Sequence, residues 1–163
     1  MNPPPLNGAK RVLLDEYGRA LDDLRRVVAT VQGHELSVVV DPVTDDPNCR
    51  SIQTILTHVV RSAFSYATYI RQQQGEQLEL RPLRTMESVA EYQTELAAAF
   101  DFTCETFERH PDIELEVMEA ERKMLVRWGQ LYDTEQLMEH AIVHILRHRR
   151  QIERFLAQLR AQR

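Results

Sequence analysis

Apolar positions recur along this chain with a period near 3.6 residues, and clear breaks divide them into four long amphipathic segments, which predicts four helices. From Ala9 to about Gln32 the stripe runs through Val12, Leu13, Tyr17, Leu21, Leu24, Val27, Val28 and Val31, and Gly33 is placed to end it as a C-cap. Residues 34–50 hold Val38 to Val40, Pro42, Pro47 and several Asp, which reads as a long loop with a short extended piece. Ser51 can cap a second helix that runs to about Gln74 and stops at Gly75, and residues 76–84, with Pro82, form a connector. Ser88 and Glu91 have capping-box spacing at the start of helix three, with Thr85 an earlier alternative, and the helix continues to about Arg109.

Residues 111–132 break the helical period. Ile113, Leu115 and Val117 alternate with acidic residues, and Met124 to Trp128 is a second apolar run, a pattern compatible with a small hairpin. Asp133 and Gln136 repeat the capping-box spacing, and helix four follows from about Thr134 to Ala161 without Gly or Pro. The expected fold class is therefore all-α: an antiparallel four-helix bundle over residues 9–163, with long connections, a small hairpin between helices three and four, and a proline-rich tail, Met1 to Gly8, before it. No internal repeat and no second domain is expected.

Composition changes this picture little. The 163 residues suit one domain with a full core, and 43% hydrophobic residues is ordinary for a soluble protein. Twenty Lys and Arg against 25 Asp and Glu give a formal charge of -5, so no basic field is present to hold nucleic acid. Arg147, Arg149, Arg150, Arg154, Arg160 and Arg163 are read as complementing the dipole of their own helix, the alternative being a phosphate-binding surface. Cys49 and Cys104 form no zinc-ribbon or CxxC spacing. Cys104 falls in a helical pattern as a small core residue, while Cys49 sits in a polar loop and gains interest if exposed. With no leader-like apolar run at the start and no span of ~20 apolar residues, the expectation is a cytoplasmic protein with no membrane partner.

The candidate chemistry lies in His140-Ala-Ile-Val-His144-Ile-Leu-Arg-His148. Histidines four apart on a helix differ by ~40° and ~6 Å and can converge on one ion, whereas His140 and His148, ~12 Å apart, cannot share one. With His144 at 0° and ~100° per residue, Leu137, Ala141, Ile145, Ile152, Phe155 and Leu159 fall between roughly 20° and 100°. His148 falls inside that stripe near 40°, His144 at its edge, and His140 near -40°, closer to solvent. The inward pair is thus His144 and His148, with His140 at the rim. Helix two offers a third ligand, His58, beside Ile55, Val59 and Ser62. An isolated pair at this spacing is ordinarily solvated or merely hydrogen-bonded, but two imidazoles within an apolar stripe need partners, because a buried polar ring without one costs about 1–3 kcal/mol. His34 and His110 lie near breaks and are expected to be exposed. Tyr66, Tyr69, Trp128 and Tyr132 are read first as core or interface residues, and as cleft walls only if they border the histidines.

The run His144-Ile-Leu-Arg-His148-Arg-Arg-Gln151-Ile152 resembles the last helix of the DinB family, whose signature is His-x-x-x-His-Arg-Gly-Gln-like. Ile55-Leu56-Thr57-His58 is similar to the family's helix-two histidine pattern, and Trp128-Gly129, Tyr132 and Thr134 are similar to its approach to the last helix. Arg150 stands where the signature has Gly, and Gln151 matches without an evident role. The resemblance implies a four-helix bundle whose divalent metal, with zinc or nickel the first choices, is held by His58, His144 and His148. It also implies a homodimer, to which apolar outer positions such as Ile142 could contribute, and a function among thiol-dependent transferases. There a low-molecular-weight thiol would act as cofactor on small electrophilic substrates, the substrate itself being unspecified. The alternatives are a non-enzymatic stress-response or ligand-binding dimer, and a metal-dependent hydrolase.

Overall fold

The computed structural model describes residues 8–161. Its elements are α1 (Gly8–Val28), α2 (Gly33–Leu36), a 3-10 turn (Pro47–Cys49), α3 (Ile52–Gln73), α4 (Val89–Arg109), a second 3-10 turn (Ala120–Arg122), β1 (Met124–Leu125), β2 (Leu131–Tyr132) and α5 (Thr134–Ala161). Among the described residues the chain is all-α apart from one two-stranded antiparallel ribbon. The expected tail, Met1 to Gly8, lies outside the described residues except for Gly8, which already belongs to α1.

The helix boundaries follow from local chemistry. Ser51 Oγ accepts the Thr54 N–H while Thr54 Oγ1 accepts the Ser51 N–H, so α3 starts with two of its orphan donors satisfied. Ser88 and Glu91 do the same for α4, and Asp133 and Gln136 for α5. Beyond the end of α3, Gly75 adopts φ +90, a conformation an L side chain resists.

Two expectations need correction. The first helix ends at Val28 rather than near Gln32, and Gly33 is not its cap but the first residue of α2. The Gln32 N–H is accepted by Glu35 Oε2, which lets the chain restart as a short helix where the apolar pattern alone read straight on. The loop after it contains no strand. Val38 and Val39 are exposed, and the Val40 and Asp41 N–H groups both reach the Arg50 carbonyl, closing the segment as a loop. The ribbon does lie between the third and fourth long helices, but it pairs Met124 with Tyr132 and Leu125 with Leu131 and leaves Ile113 to Val117 outside. Gly129, with φ +83, allows its tight reversal.

Helix α1 packs on α5 and α4, and α3 packs on α4 and α5. The shared core includes Leu21 and Leu24 of α1, Ile55 and Val59 of α3, Tyr92 and Leu96 of α4, and Ile145 and Ile152 of α5. Helix α3 is buried on nearly every side. Ser62, Ala63, Ser65, Ala67 and Thr68 keep its surface thin enough for neighbouring helices to approach, and Ser65 and Thr68 return their hydroxyls to the Arg61 and Phe64 carbonyls. Ile142 is half-buried against the core rather than on an outer face. No helix among the described residues is long and apolar enough to cross a membrane.

Candidate metal centre

His58 comes from α3, and His144 and His148 come from α5, two helices packed on each other. One ring nitrogen from each lies within 4.8 Å of the others, so the three could hold a metal ion. Their ring centroids stand 4.9 Å (His58–His144), 5.2 Å (His58–His148) and 4.4 Å (His144–His148) apart. His148 is buried and the other two are half-buried. The residue that the helical wheel places inside the apolar stripe, His148, is the buried one, while His140 is half-buried like His144. His140 is not among the three; it stacks on His144 at a centroid distance of 6.1 Å and on Trp128 at 5.4 Å.

Burial holds all three imidazoles neutral. Desolvation, with the neighbouring histidines adding to it, pushes His58 down to about 4 and His144 down to about 2. Burial also lowers His148, although its bond to Gln151 opposes the shift. A neutral imidazole offers the lone pair that a metal requires.

The donor set fits a divalent ion in a further respect. His58 Nε2 and His144 Nε2 face each other at 2.8 Å, and His144 Nδ1 is buried with no hydrogen-bond partner among the described residues. Two nitrogens bonded to one tetrahedral ion at ~2.05 Å would stand about 3.3 Å apart, so these rings need to part by only about half an ångström. As it stands their contact is a hydrogen bond in which one ring nitrogen carries the proton and the other accepts it, with a nitrogen of His148 close by.

An aromatic wall borders one side. Tyr66 packs edge-on against His140, His144 and Trp128, and Tyr69 packs against Trp128 from below while its hydroxyl accepts the Arg127 N–H. Tyr132 lies 5.6 Å from His140 between ring centroids, its hydroxyl 3.4 Å from His140 Nδ1. Tyr66 and Tyr69 are buried, but Trp128 is 40% exposed, so the wall ends at solvent. A recess of about 600 Å³ continues from His140 along Gln130, Leu131, Tyr132 and Val143.

Three residues at the site had no role there in the sequence reading. Gln151 Oε1 lies 3.1 Å from His148 Nδ1, which gives this glutamine a physical task. Its signal was available, because residues three apart share a helix face. Cys49 is buried rather than exposed; it hydrogen-bonds Asp46 and has the Gln151 side chain as its other polar neighbour. Asp46, half a turn of loop away, also acts electrostatically on His58 and His148. No local pattern marks these two, since only the fold of the loop brings them to α5.

The remaining expectations divide. His34 is exposed, but His110 is half-buried and meets Glu76 Oε1 at 2.6 Å. Cys104 is partly buried against the core. Arg149 bonds Asp23 of α1 at 2.8 Å and Arg160 bonds the buried Glu35 at 3.1 Å, so these arginines hold helices together beyond complementing a dipole. Arg150, in the place of the signature glycine, is exposed and disturbs no packing. Arg163 lies outside the described residues.

Compared with known proteins, the chain matches no family model and no curated protein, so the likeness to the DinB family rests on the residues quoted for it.

Proposed function

We propose that this chain is a DinB-like antiparallel four-helix bundle, one domain over residues 9–163, that binds a divalent ion through His58, His144 and His148 and works as a metal-dependent enzyme of the thiol-transferase type. The single observation that carries the reading is the convergence of three neutral ring nitrogens within 4.8 Å of one another, from two helices packed on each other. Zinc and nickel suit imidazole donors. Three protein ligands are the number used where a coordination position is kept for chemistry, whereas closed structural sites use four.

When bound, such an ion supplies Lewis acidity to a thiol brought to its open position. The chain's own residues do the rest. His58, His144 and His148 hold the ion in place. Tyr66, Trp128 and Tyr132 shield one side from water and offer an apolar, π-rich wall to an electrophile entering past His140. We further read the protein as cytoplasmic and dimeric, with exposed Val12 on α1 and Val143 on α5 as apolar outer positions.

Elemental analysis of purified protein tests the metal: about one zinc or nickel per chain is expected, and far less in His148→Ala. Turnover of small electrophiles by metal-loaded protein with low-molecular-weight thiols tests the reaction. It should fall at least a hundredfold in His144→Ala, roughly the cost of losing a group that acts in the transition state. Equal turnover by the two proteins sinks the enzymatic reading and leaves a metal-binding, non-enzymatic dimer.

A further inference from the structure

The polarity of the hydrogen bonds behind His148 can be worked out from one end. The Asp46 carboxylate only accepts, and its Oδ1 already takes the Asn48 N–H at 2.9 Å. Its Oδ2 lies 3.4 Å from Cys49 Sγ, so the thiol must donate to it. With its hydrogen committed, the Cys49 sulfur has only lone pairs left for its other neighbour, the Gln151 side chain, and only the NH2 of that amide can donate to them. The amide oxygen is thereby turned toward His148 Nδ1, at 3.1 Å. A carbonyl oxygen accepts and cannot donate. His148 must therefore carry its proton on Nδ1, which leaves the lone pair on Nε2.

We propose that Asp46, Cys49 and Gln151 form a directional chain that sets the tautomer of His148, with Gln151 as its positioning residue. The inference rests on the metal reading of the site and deepens it. Without the chain a glutamine amide could present either end to the ring, and one of the two places hydrogen on the nitrogen that a metal needs. Groups that hold the far nitrogen of a ligating histidine fix both tautomer and ring orientation, and their loss typically costs ten- to a hundredfold in metal affinity. The chain also joins the loop before α3 to α5, so that the residue best buried among the three ligands is also the one held from outside the helix pair.

Two readouts on purified full-length protein test this. The first needs no metal: long-range nitrogen–proton NMR correlations of His148 in the metal-free protein report which ring nitrogen is protonated. The expected result is Nδ1–H in the wild type and in Gln151→Glu, which keeps an acceptor, and a shift toward Nε2–H in Gln151→Leu. In Cys49→Ala a mixture of the two forms is expected, because the amide is free to turn over; Cys104→Ala, outside the chain, should match wild type. The second readout is zinc affinity by chelator competition. It should fall about ten- to a hundredfold in Gln151→Leu and only a few-fold in Cys49→Ala, with Gln151→Glu restoring the wild-type value to within a few-fold. An Nε2–H tautomer in the wild type overturns the proposal, as does a Gln151→Leu protein with unchanged tautomer and unchanged affinity. An unchanged Cys49→Ala overturns the outer half of the chain. If the wild type shows the expected tautomer and binds no zinc, the positioning stands and the metal reading fails.

Discussion

Each of the three histidines is neutral for the same reason, burial, and burial has a cost that depends on pH. In the unfolded chain a histidine takes up its proton near pH 6.5, while His58 in the fold resists protonation until about pH 4. Between those values the unfolded state binds more protons than the folded one, so stability falls as the pH falls, and for His144 the window extends lower still. Above pH 6.5 the two states bind protons alike at these positions and stability is flat. Metal-free protein should therefore show a urea midpoint that drops steadily from pH 7 to pH 4.5. A His144→Leu variant, which has one imidazole fewer to protonate, should show a shallower slope; equal slopes would mean that His144 is not held neutral in the fold. Of the site itself, the convergence of three histidines was readable because ~100° per residue places His148 in the apolar stripe and His140 outside it. The support behind His148 was not, because Cys49 and Asp46 reach it across a loop whose path no periodicity encodes.

The elements were legible where a side chain meets the backbone close by. Ser51, Ser88 and Asp133 each cap the next helix as their spacing predicts, because capping is settled within four residues. The end of α1 was misread because Val31 continues the apolar stripe although it packs into the core from beyond the helix. The signal for the restart lies in Gln32 and Glu35, whose side chain takes the Gln32 N–H. The short α2 matters out of proportion to its length. Glu35 is buried at 1% exposure and meets Arg160 of α5 through two oxygens, while Arg160 also donates to the Thr30 carbonyl. Arg160 thus clips the turn after α1 to the end of α5. Its replacement by Ala leaves the buried Glu35 carboxylate with fewer donors and should destabilise the protein. The expected signature is a lower urea midpoint with the transition slope preserved. Arg160→Lys should recover only part of the loss, since an ammonium cannot reproduce the two-pronged contact.

At the scale of the whole molecule, the packing of α1 on α5 and α4, and of α3 on α4 and α5, is what four apolar stripes of similar length require if each is to be covered. Residues 111–132 were harder to read, since their strands are only two residues long and the segment is also tied to α3, through Tyr69 and the Gln73 amide that donates to the Arg122 carbonyl. A ligand that binds only the folded state stabilises all of this at once, by about 2.7 kcal/mol at a hundredfold excess over its dissociation constant. Zinc at that excess should accordingly raise the melting temperature of the wild type and leave His58→Ala where it was. The contact between His58 and His144 also spans 86 positions of sequence. An ion shared by those two residues would make that stretch a closed ring, of which α4 and the ribbon are part. Such a ring cannot fray from one end. Backbone amides across the enclosed stretch would then exchange with solvent as one cooperative block, and a protease that nicks the connector between α3 and α4 would leave two fragments still fastened together at the metal.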